Sequence, residues 1–385
     1  MNGGIDMKMK PEDDQKPFFS EGAYGCVMYP RIDCHGNKKK ITKVGDGDGD
    51  GVGHGDGKGN KKKEMSKIVK NDFTAENEVI LGKKLNKINK KAKKMIFLPV
   101  TRSCPIMKEK VEKYKECHFF SDEKHKHVDK YKILYATYVE SQTIYDYLYG
   151  HRSPNPYAHL QKMVDYYCFM VKAVGLLSDH GVIHNDLNMK NVLVASENNK
   201  MHVIDFGRSI MTKKMYYKNN QLNMKYLKHF FSIWDPTRFF YWPVEHYILS
   251  YFVREEREMD RKTLIQIIEH YYDNDKNKPL YLKKEQDRRN YIKVVYTHYE
   301  EKFVNDLSYK THIKDILNNA TKTWDLYAIS YVCFKFIMMN KKNLALSKMR
   351  WFTFSLNDSL HYDYLRRNSM IVHEENVRKL KELML

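Results

Sequence analysis

Two polar clusters near the middle of the chain carry residue types that can do chemistry. Residues 184–191 contain Asp186 and Asn191, and residues 205–207 begin with Asp205. Carboxylate and amide oxygens are the ligands that Mg²⁺ prefers, and a carboxylate can orient or deprotonate an acceptor hydroxyl. The set fits phosphoryl transfer, with Asp186 as base and with Asn191 and Asp205 on the metal.

Apolar residues flank both clusters and indicate the elements that must position them. Val182-Ile183 precede the first cluster, and Val203-Ile204 precede the second. A loop held at the end of a buried strand is rigid, which a catalytic site requires. Within the first cluster, Lys190 can reach a phosphate as a point charge and is a second catalytic candidate.

The spacing of these residues resembles that of eukaryotic-type protein kinases. His-x-Asp-x-x-x-x-Asn, starting at His184, is followed by Asp-Phe-Gly, with nineteen residues from Asp186 to Asp205. The resemblance implies an α+β, bilobal protein-kinase fold. Its N-lobe is small and β-rich with one main helix, and its C-lobe is larger and mainly helical. It also implies ATP and Mg²⁺ as cofactors and a protein substrate.

A glycine-rich segment near the N-terminus resembles the loop that covers ATP in these kinases. It runs over residues 20–27, with Ser20 where the first glycine usually stands. Gly22 and Gly25 allow backbone N–H groups to approach phosphate, and Val27 is expected over the adenine ring. Leu193 is a further expected cofactor-binding residue.

The kinase resemblance also requires a strand lysine and a helix acid. We favour Lys67 over Lys70 as the lysine that holds the α- and β-phosphates, because apolar Ile68 follows it. We favour Glu78 over Glu76 as its partner, because residues 81 and 85 place an apolar face on the same side of the predicted helix.

Residues 134–140 resemble the strand that leads into the adenine-binding hinge. The backbone groups of Thr137 and Val139 would then bind adenine, with Ala136 as a small neighbour. A plain core strand fits the same residues. Downstream, residues 323–330 resemble the buried helix whose Asp325 holds the catalytic-loop backbone, and residues 242–245 match the Ala-Pro-Glu that ends the activation segment.

Composition and periodicity divide the chain into segments. The clearest helical period spans residues 158–180, and helices are also predicted over 73–85, 262–270 and 285–303. The predicted segments are a flexible N-terminus (1–16), an N-lobe (17–139) with a Gly/Asp/Lys-rich insertion (36–63), a C-lobe (140–340) with an insertion at about 246–320, and a short C-terminal segment (341–385) with reduced helices.

Three positions depart from the kinase pattern. Asn185 replaces the arginine that commonly pairs with a phosphorylated activation loop, so activity is predicted not to depend on that phosphate. Asn188 stands where serine/threonine kinases usually carry lysine, and Lys190 occupies the place of the cation in many tyrosine kinases. Gly82 lies where a bulky residue usually packs toward Phe206.

Charge and cysteine content suggest partners and compartment. The chain has 67 Lys and Arg against 48 Asp and Glu, a net charge of +19. Such a surplus can indicate an acidic partner, but the lysines are scattered more than clustered, which favours a general abundance of lysine as its cause. Nucleic acid is not expected as the primary ligand, because no aromatic-basic motif accompanies the charge. The six cysteines show no paired spacing, which predicts free thiols. With no visible signal peptide and no apolar run of membrane-spanning length, we expect a soluble cytoplasmic protein (host cytoplasm or virion if viral).

Two finer questions stay open at the level of sequence. The loop over residues 24–30 and the Ser66-Lys67 strand look especially like serine/threonine kinases of large DNA viruses. Besides an active serine/threonine kinase, a pseudokinase scaffold and a small-molecule kinase of the aminoglycoside or choline type are alternatives. The latter usually carry histidine where Asn188 stands.

Overall fold

The computed structural model describes most of the chain. The described residues are 18–22, 25–34, 63–111, 117, 119, 130–150, 156–232, 241–273, 284–340 and 349–384. They form two compact units, of which the first takes in Met1–Gln142 and Val194–Gly207 and the second Thr143–Leu193 and Arg208–Leu385. The predicted flexible N-terminus, almost all of the 36–63 insertion and the tip of the glycine-rich segment (residues 23–24) lie outside the described residues.

The first unit is built on a five-stranded antiparallel sheet with strand order β1-β2-β3-β5-β4. Ile68, Ile133 and Tyr135 are fully or almost fully buried on it. Its elements are β1 (Phe18–Gly22), β2 (Gly25–Tyr29), β3 (Glu64–Lys70), α1 (Phe73–Ala92), β4 (Val100–Met107), the short α2 (Lys108–Val111) and β5 (Lys130–Thr137).

Helix α1 begins where its sequence places a cap and runs further than predicted. The Asp72 side chain accepts a hydrogen bond from the backbone N–H of Ala75, 3.1 Å away. The predicted helix ends at residue 85, but residues 86–92 are helical as well, and Asn89 in the last turns bonds the following chain. Its side chain accepts from the N–H of Ile96 and donates to the carbonyl of Phe97.

Four of the six cysteines form two disulfides in the first unit, so the prediction of free thiols is wrong for them. Cys26 pairs with Cys117, and Cys34 pairs with Cys104, with Cα–Cα distances of 6.2 and 5.8 Å. The partners lie 91 and 70 residues apart in sequence, and only the folded sheet brings them together. Cys168 and Cys333 are free.

The second unit is mainly helical. Helix α10 is apolar on most of its surface and buried, and it packs against α4 and α11. The helices are α3 (Ile144–Tyr149), α4 (Pro156–Asp179), α5 (Met224–Phe231), α6 (Val244–Glu255), α7 (Arg261–Asp273), α8 (Glu285–Phe303), α9 (Tyr309–Asn319), α10 (Trp324–Asn340), α11 (Arg350–Ser359) and α12 (Met370–Met384).

Short strands frame the polar clusters. Strands β7 (Val182–Ile183) and β10 (Ile210–Met211) pair antiparallel in the second unit. Strand β9 (Met201–Val203) precedes Asp205 in the first unit. The boundaries between the units fall within β6 (Ser141–Thr143), within β8 (Val192–Ala195) and between Gly207 and Arg208.

The predicted α+β class is confirmed, with a β-rich part that carries one main helix and a larger, mainly helical part. The helices predicted at 158–180, 262–270 and 285–303 correspond to α4, α7 and α8. The C-terminal segment is more helical than predicted, since α12 packs on α4. None of the helices in the described part of the chain has the length and hydrophobicity needed to cross a membrane.

Candidate active site

Three charged side chains meet in the first unit, and we call them the charged triad: Lys67, Glu78 and Asp205. Lys67 on β3 places its Nζ 3.0 Å from Asp205 Oδ1 and 3.6 Å from Glu78 Oε2 on α1. Asp205 follows β9 and has a φ of 62°, a left-handed conformation that is uncommon for a residue with a side chain. The triad therefore joins a strand, a helix and a turn that are far apart in sequence.

Burial and the two carboxylates shift the pKa of Lys67 in opposite directions. Burial alone would lower the pKa of the Lys67 ammonium, but the charges of Asp205 and Glu78 outweigh it and raise that pKa above its ordinary value. Burial raises the pKa of Glu78, and Lys67 partly offsets that rise. Lys67 therefore stays protonated and can act as a fixed cation for phosphate.

Lys70 and Glu76, the alternatives to Lys67 and Glu78, contact other residues. Lys70 lies at the end of β3, opposite Tyr131 of β5. Glu76 forms an ion pair with Lys132. The structure thus brings together Lys67 and Glu78, the two residues that the sequence favours.

Asn77, which sequence reasoning missed, contacts the Asp-Phe-Gly motif. Its side-chain amide donates a hydrogen bond to the carbonyl of Gly207, 3.1 Å away. Asn77 is only 2% exposed, although it is polar. The sequence did carry a signal for this contact. Asn77 lies four residues before apolar Leu81, on the core-facing side of the predicted helix, and a buried amide requires a hydrogen-bond partner.

Gly82 allows a close approach of α1 to β4. A Cβ atom at this position would collide with the backbone carbonyl of Val100. Phe206, toward which a bulky residue at 82 was expected to pack, lies edge-on to Phe97 with ring centroids 5.8 Å apart. The aromatic contact at Phe206 therefore comes from the segment that follows the helix.

The described part of the glycine-rich segment lies in β1 and β2. Gly22 pairs with Gly25 across the two strands. Gly25 has a φ of 152°, and a side chain there would collide with the carbonyl of Ile68. Val27 is half-buried and lies opposite Lys67 in the β2–β3 register. These strands thus place Val27 beside the lysine of the triad.

The predicted hinge residues lie at the end of β5 and just after it. Thr137 ends β5, and Val139 comes just after it, both half-buried. The intervening Tyr138 donates its N–H to the carbonyl of Lys63 and stacks on Tyr29 with ring centroids 3.6 Å apart. Leu193 lies on β8 and is half-buried.

The catalytic-loop candidates lie together in the second unit, after β7. The Asp186 carboxylate accepts hydrogen bonds from the side-chain amides of Asn188, at 3.2 Å, and Asn191, at 3.3 Å. Asn191 also donates to the Asp186 carbonyl at 2.8 Å. Because its nitrogen faces Asp186, its Oδ1 points away from that carboxylate. The Lys190 side chain is exposed, and its backbone N–H donates to Asn188.

Asp325 holds the backbone of this loop, as predicted. Its carboxylate accepts from the N–H of His184 at 2.7 Å and from the N–H of Asn185 at 3.0 Å. Burial raises the pKa of Asp325 to about 6, and the two N–H donors oppose that rise. The loop before Asp186 is thus fixed by one buried carboxylate on α10.

A second buried carboxylate, Glu245, anchors the segment that was matched to Ala-Pro-Glu. It forms an ion pair with Arg367, with N–O distances of 2.6 and 2.8 Å, and accepts from the indole of Trp324. Sequence reasoning missed Arg367, which lies 122 residues away. A buried carboxylate with a bidentate arginine is well satisfied, so it fixes the start of α6.

Comparison with known proteins gives two matches. Residues 65–230 match the family model "Protein tyrosine and serine/threonine kinase". That segment holds the charged triad and the catalytic-loop candidates. Residues 65–230 are a match to a protein kinase domain.

The second match is shorter. Over 76 residues the chain is 30% identical to "Probable serine/threonine-protein kinase fnkB" of Dictyostelium discoideum. The aligned part covers 20% of this chain and 14% of that relative. Both matches support a protein kinase of the eukaryotic type, and the α+β architecture agrees with the fold of that family.

Proposed function

We propose that the protein is an ATP- and Mg²⁺-dependent protein kinase that transfers the γ-phosphate of ATP to serine or threonine hydroxyls. The observation that carries the proposal is the convergence of Lys67 on Glu78 and Asp205 within a segment that matches the kinase family. A buried cation flanked by two carboxylates is suited to hold phosphate oxygens and a metal together.

In this proposal the first unit binds the nucleotide. Lys67 binds the α- and β-phosphates, and Glu78 keeps the lysine extended. Gly22 and Gly25 approach the phosphates through their backbone, while Val27 and the backbone of Thr137 and Val139 surround adenine. Leu193, which belongs to the second unit, is a further proposed nucleotide-binding residue. These residues bind and orient ATP, and none of them transfers a proton.

The residues present also fit a magnesium ion. Asp205 and Asn191 offer a carboxylate and an amide oxygen, the hard ligands that Mg²⁺ takes alongside phosphate and water. When bound, the metal would neutralise the charge of the phosphates. The hydrogen bond from the Asn191 nitrogen to the Asp186 carbonyl fixes the orientation of the Asn191 amide.

Asp186 is the proposed base. The acceptor oxygen attacks the γ-phosphorus, the bond to the bridging oxygen of ADP breaks, and the hydroxyl proton passes to Asp186. Two amide donors hold its carboxylate in one orientation. Lys190 supplies a positive charge near the transferred group.

The finer assignments are also proposals. Serine/threonine specificity is supported by the name of the Dictyostelium relative. The resemblance to viral kinases rests on the short strings at residues 24–30 and 66–67. A protein substrate, an acidic partner suggested by the charge of +19, and a cytoplasmic location complete the proposal. Nucleic acid is not proposed as the primary ligand.

The proposal is tested with Asp186→Asn in the full chain. Wild type and variant are incubated with labelled ATP, Mg²⁺, casein and a basic protein, and the labelled amino acid is identified. We expect the variant to lose about 10³-fold or more in turnover while ATP still binds. Equal turnover would remove Asp186 from the mechanism. ATP binding without turnover in wild type would favour the scaffold alternative.

A further inference from the structure

Asn185, the residue before the proposed base, is held on every side. Its backbone has a φ of 62°, and the residue is 2% exposed. Its N–H donates to Asp325, and its carbonyl accepts a hydrogen bond of 2.7 Å from Nε1 of Trp242. Asparagine adopts this left-handed conformation more readily than most residues, and here the surrounding hydrogen bonds hold it.

The side chain of Asn185 makes two further contacts. Its Oδ1 lies 3.1 Å from Nε2 of His246, and its Nδ2 donates to the carbonyl of Arg208 at 3.4 Å. Burial, followed by the charge of Arg208, lowers the pKa of His246 well below its ordinary value. The imidazole is therefore neutral, and its Nε2–H donates to Asn185.

Trp242 and His246 reinforce one another. Their rings stack with centroids 3.9 Å apart and planes 18° apart. The guanidinium of Arg208 lies 5.0 Å from the centre of the Trp242 ring, at a distance suited to a cation–π contact. We call Asn185, Trp242 and His246 the neutral clamp.

The neutral clamp ties together two distant points of the chain. One point is Arg208, which immediately follows Gly207. The other is the start of α6, with Trp242 just before the helix and His246 in its first turn. Both points form hydrogen bonds with Asn185. A phosphate commonly makes such a connection by adding charge that arginines pair with. Here neutral donors and acceptors, fully or almost fully buried, make the connection instead.

We propose that Trp242 and His246 are positioning residues that hold the catalytic loop through Asn185, so that activity needs no phosphate between residues 208 and 243. The inference rests on the proposed kinase function and concerns its regulation. The two residues act through Asn185 on the orientation of Asp186.

Trp242→Phe tests the clamp, because phenylalanine keeps the stacking on His246 and removes the N–H that donates to the Asn185 carbonyl. Losing one buried donor leaves a carbonyl unsatisfied, and we expect kcat to fall about five- to tenfold with the KM for ATP unchanged. Trp351→Phe is the matched control, since Trp351 packs on Phe352 of α11, and it should keep wild-type kcat. Thermal melts check that both variants fold.

His246 allows a rescue experiment. His246→Phe removes the donor to Asn185 and should lower kcat, whereas His246→Gln can donate from its amide and should restore most of it. Equal kcat in both variants would assign His246 a packing role only and would overturn its part of the proposal. A Trp242→Phe variant with wild-type kcat would do the same for Trp242.

Phosphatase treatment tests the regulatory consequence. Wild type is treated with a protein phosphatase, its loss of phosphate is verified by mass spectrometry, and its kcat is compared with that of the untreated protein. We expect no change, and a large loss of activity would overturn the proposal. If the proposed kinase function itself were wrong, Asp186→Asn would have the same activity as wild type, whatever the clamp variants do. That result distinguishes a failure of the proposed function from a failure of the clamp proposal.

Discussion

The charged triad and the neutral clamp solve a similar positioning task by different means. In the first unit, Lys67, Glu78 and Asp205 are held by opposite charges, and the nearest distance is 3.0 Å. In the second unit, Asn185 is held by an indole, a neutral imidazole and backbone groups. In the proposed function the triad binds phosphate and metal, whereas the clamp only holds the chain in place. We infer that charge is placed where a ligand must bind, and neutral bonds where the chain must stay fixed.

The largest expected effect is on the triad. Lys67→Met should lower kcat/KM about 10²- to 10³-fold, because it removes a preorganised cation and leaves Glu78 and Asp205 facing each other. Lys70→Met, on the same strand, is the control and should retain activity. Steady-state kinetics at varied ATP measures both. Similar losses in the two variants would contradict the role of Lys67.

The next effect concerns pH and Asp325. Because its folded pKa of about 6 lies above the ordinary value of 3.8, the folded state binds this proton more tightly than the unfolded chain. The group's contribution to the free energy of unfolding therefore decreases as the pH rises from about 4 to 6, by up to about 3 kcal/mol, and is constant above.

Asp325→Asn removes this titration. Urea titrations at pH 4.5 and 7 give the free energy of unfolding of wild type and variant. The value for wild type minus that for the variant should be smaller at pH 7, because the contributions of other groups cancel in the difference. An unchanged difference would mean that Asp325 has an ordinary pKa in the folded protein.

A third prediction concerns the packing that supports the triad. Gly82→Ala should destabilise the protein by about 1–3 kcal/mol, because the added Cβ would collide with the Val100 carbonyl and push α1 from β4. Gly175→Ala in α4 is the matched control, where the nearest atom is Met370 Sδ at 3.9 Å. Urea unfolding of both variants measures the difference. If both glycines tolerate alanine equally, the close approach at Gly82 is not tight.

The smallest expected effect separates Asn77 from the triad. Asn77→Leu keeps the branched shape of the side chain but leaves the Gly207 carbonyl without this donor, at a cost of about 1 kcal/mol. We expect kcat/KM to fall about fivefold. The loss should be larger at limiting Mg²⁺, because Gly207 lies two residues after Asp205, the proposed metal ligand. An equal loss at all Mg²⁺ concentrations would indicate a purely structural role for Asn77.

The sequence predicts the parts of this protein that depend on local order. The spacing of Asp186, Asn191 and Asp205 and the period of α4 follow from neighbouring residues, because a loop motif and a helix face are local patterns. Likewise, apolar residues around Lys67 and Glu78 were enough to favour them over Lys70 and Glu76.

Only the tertiary structure decided the contacts between residues far apart in the chain. The two disulfides, the Glu245–Arg367 ion pair and the bonds from Trp242 and His246 to Asn185 join residues 57 to 122 positions apart. Composition shows that such polar and sulfur groups exist, but pairing depends on which elements the core brings into contact. For that reason Asn185 appeared in the sequence as a missing arginine, and in the structure as the centre of a clamp.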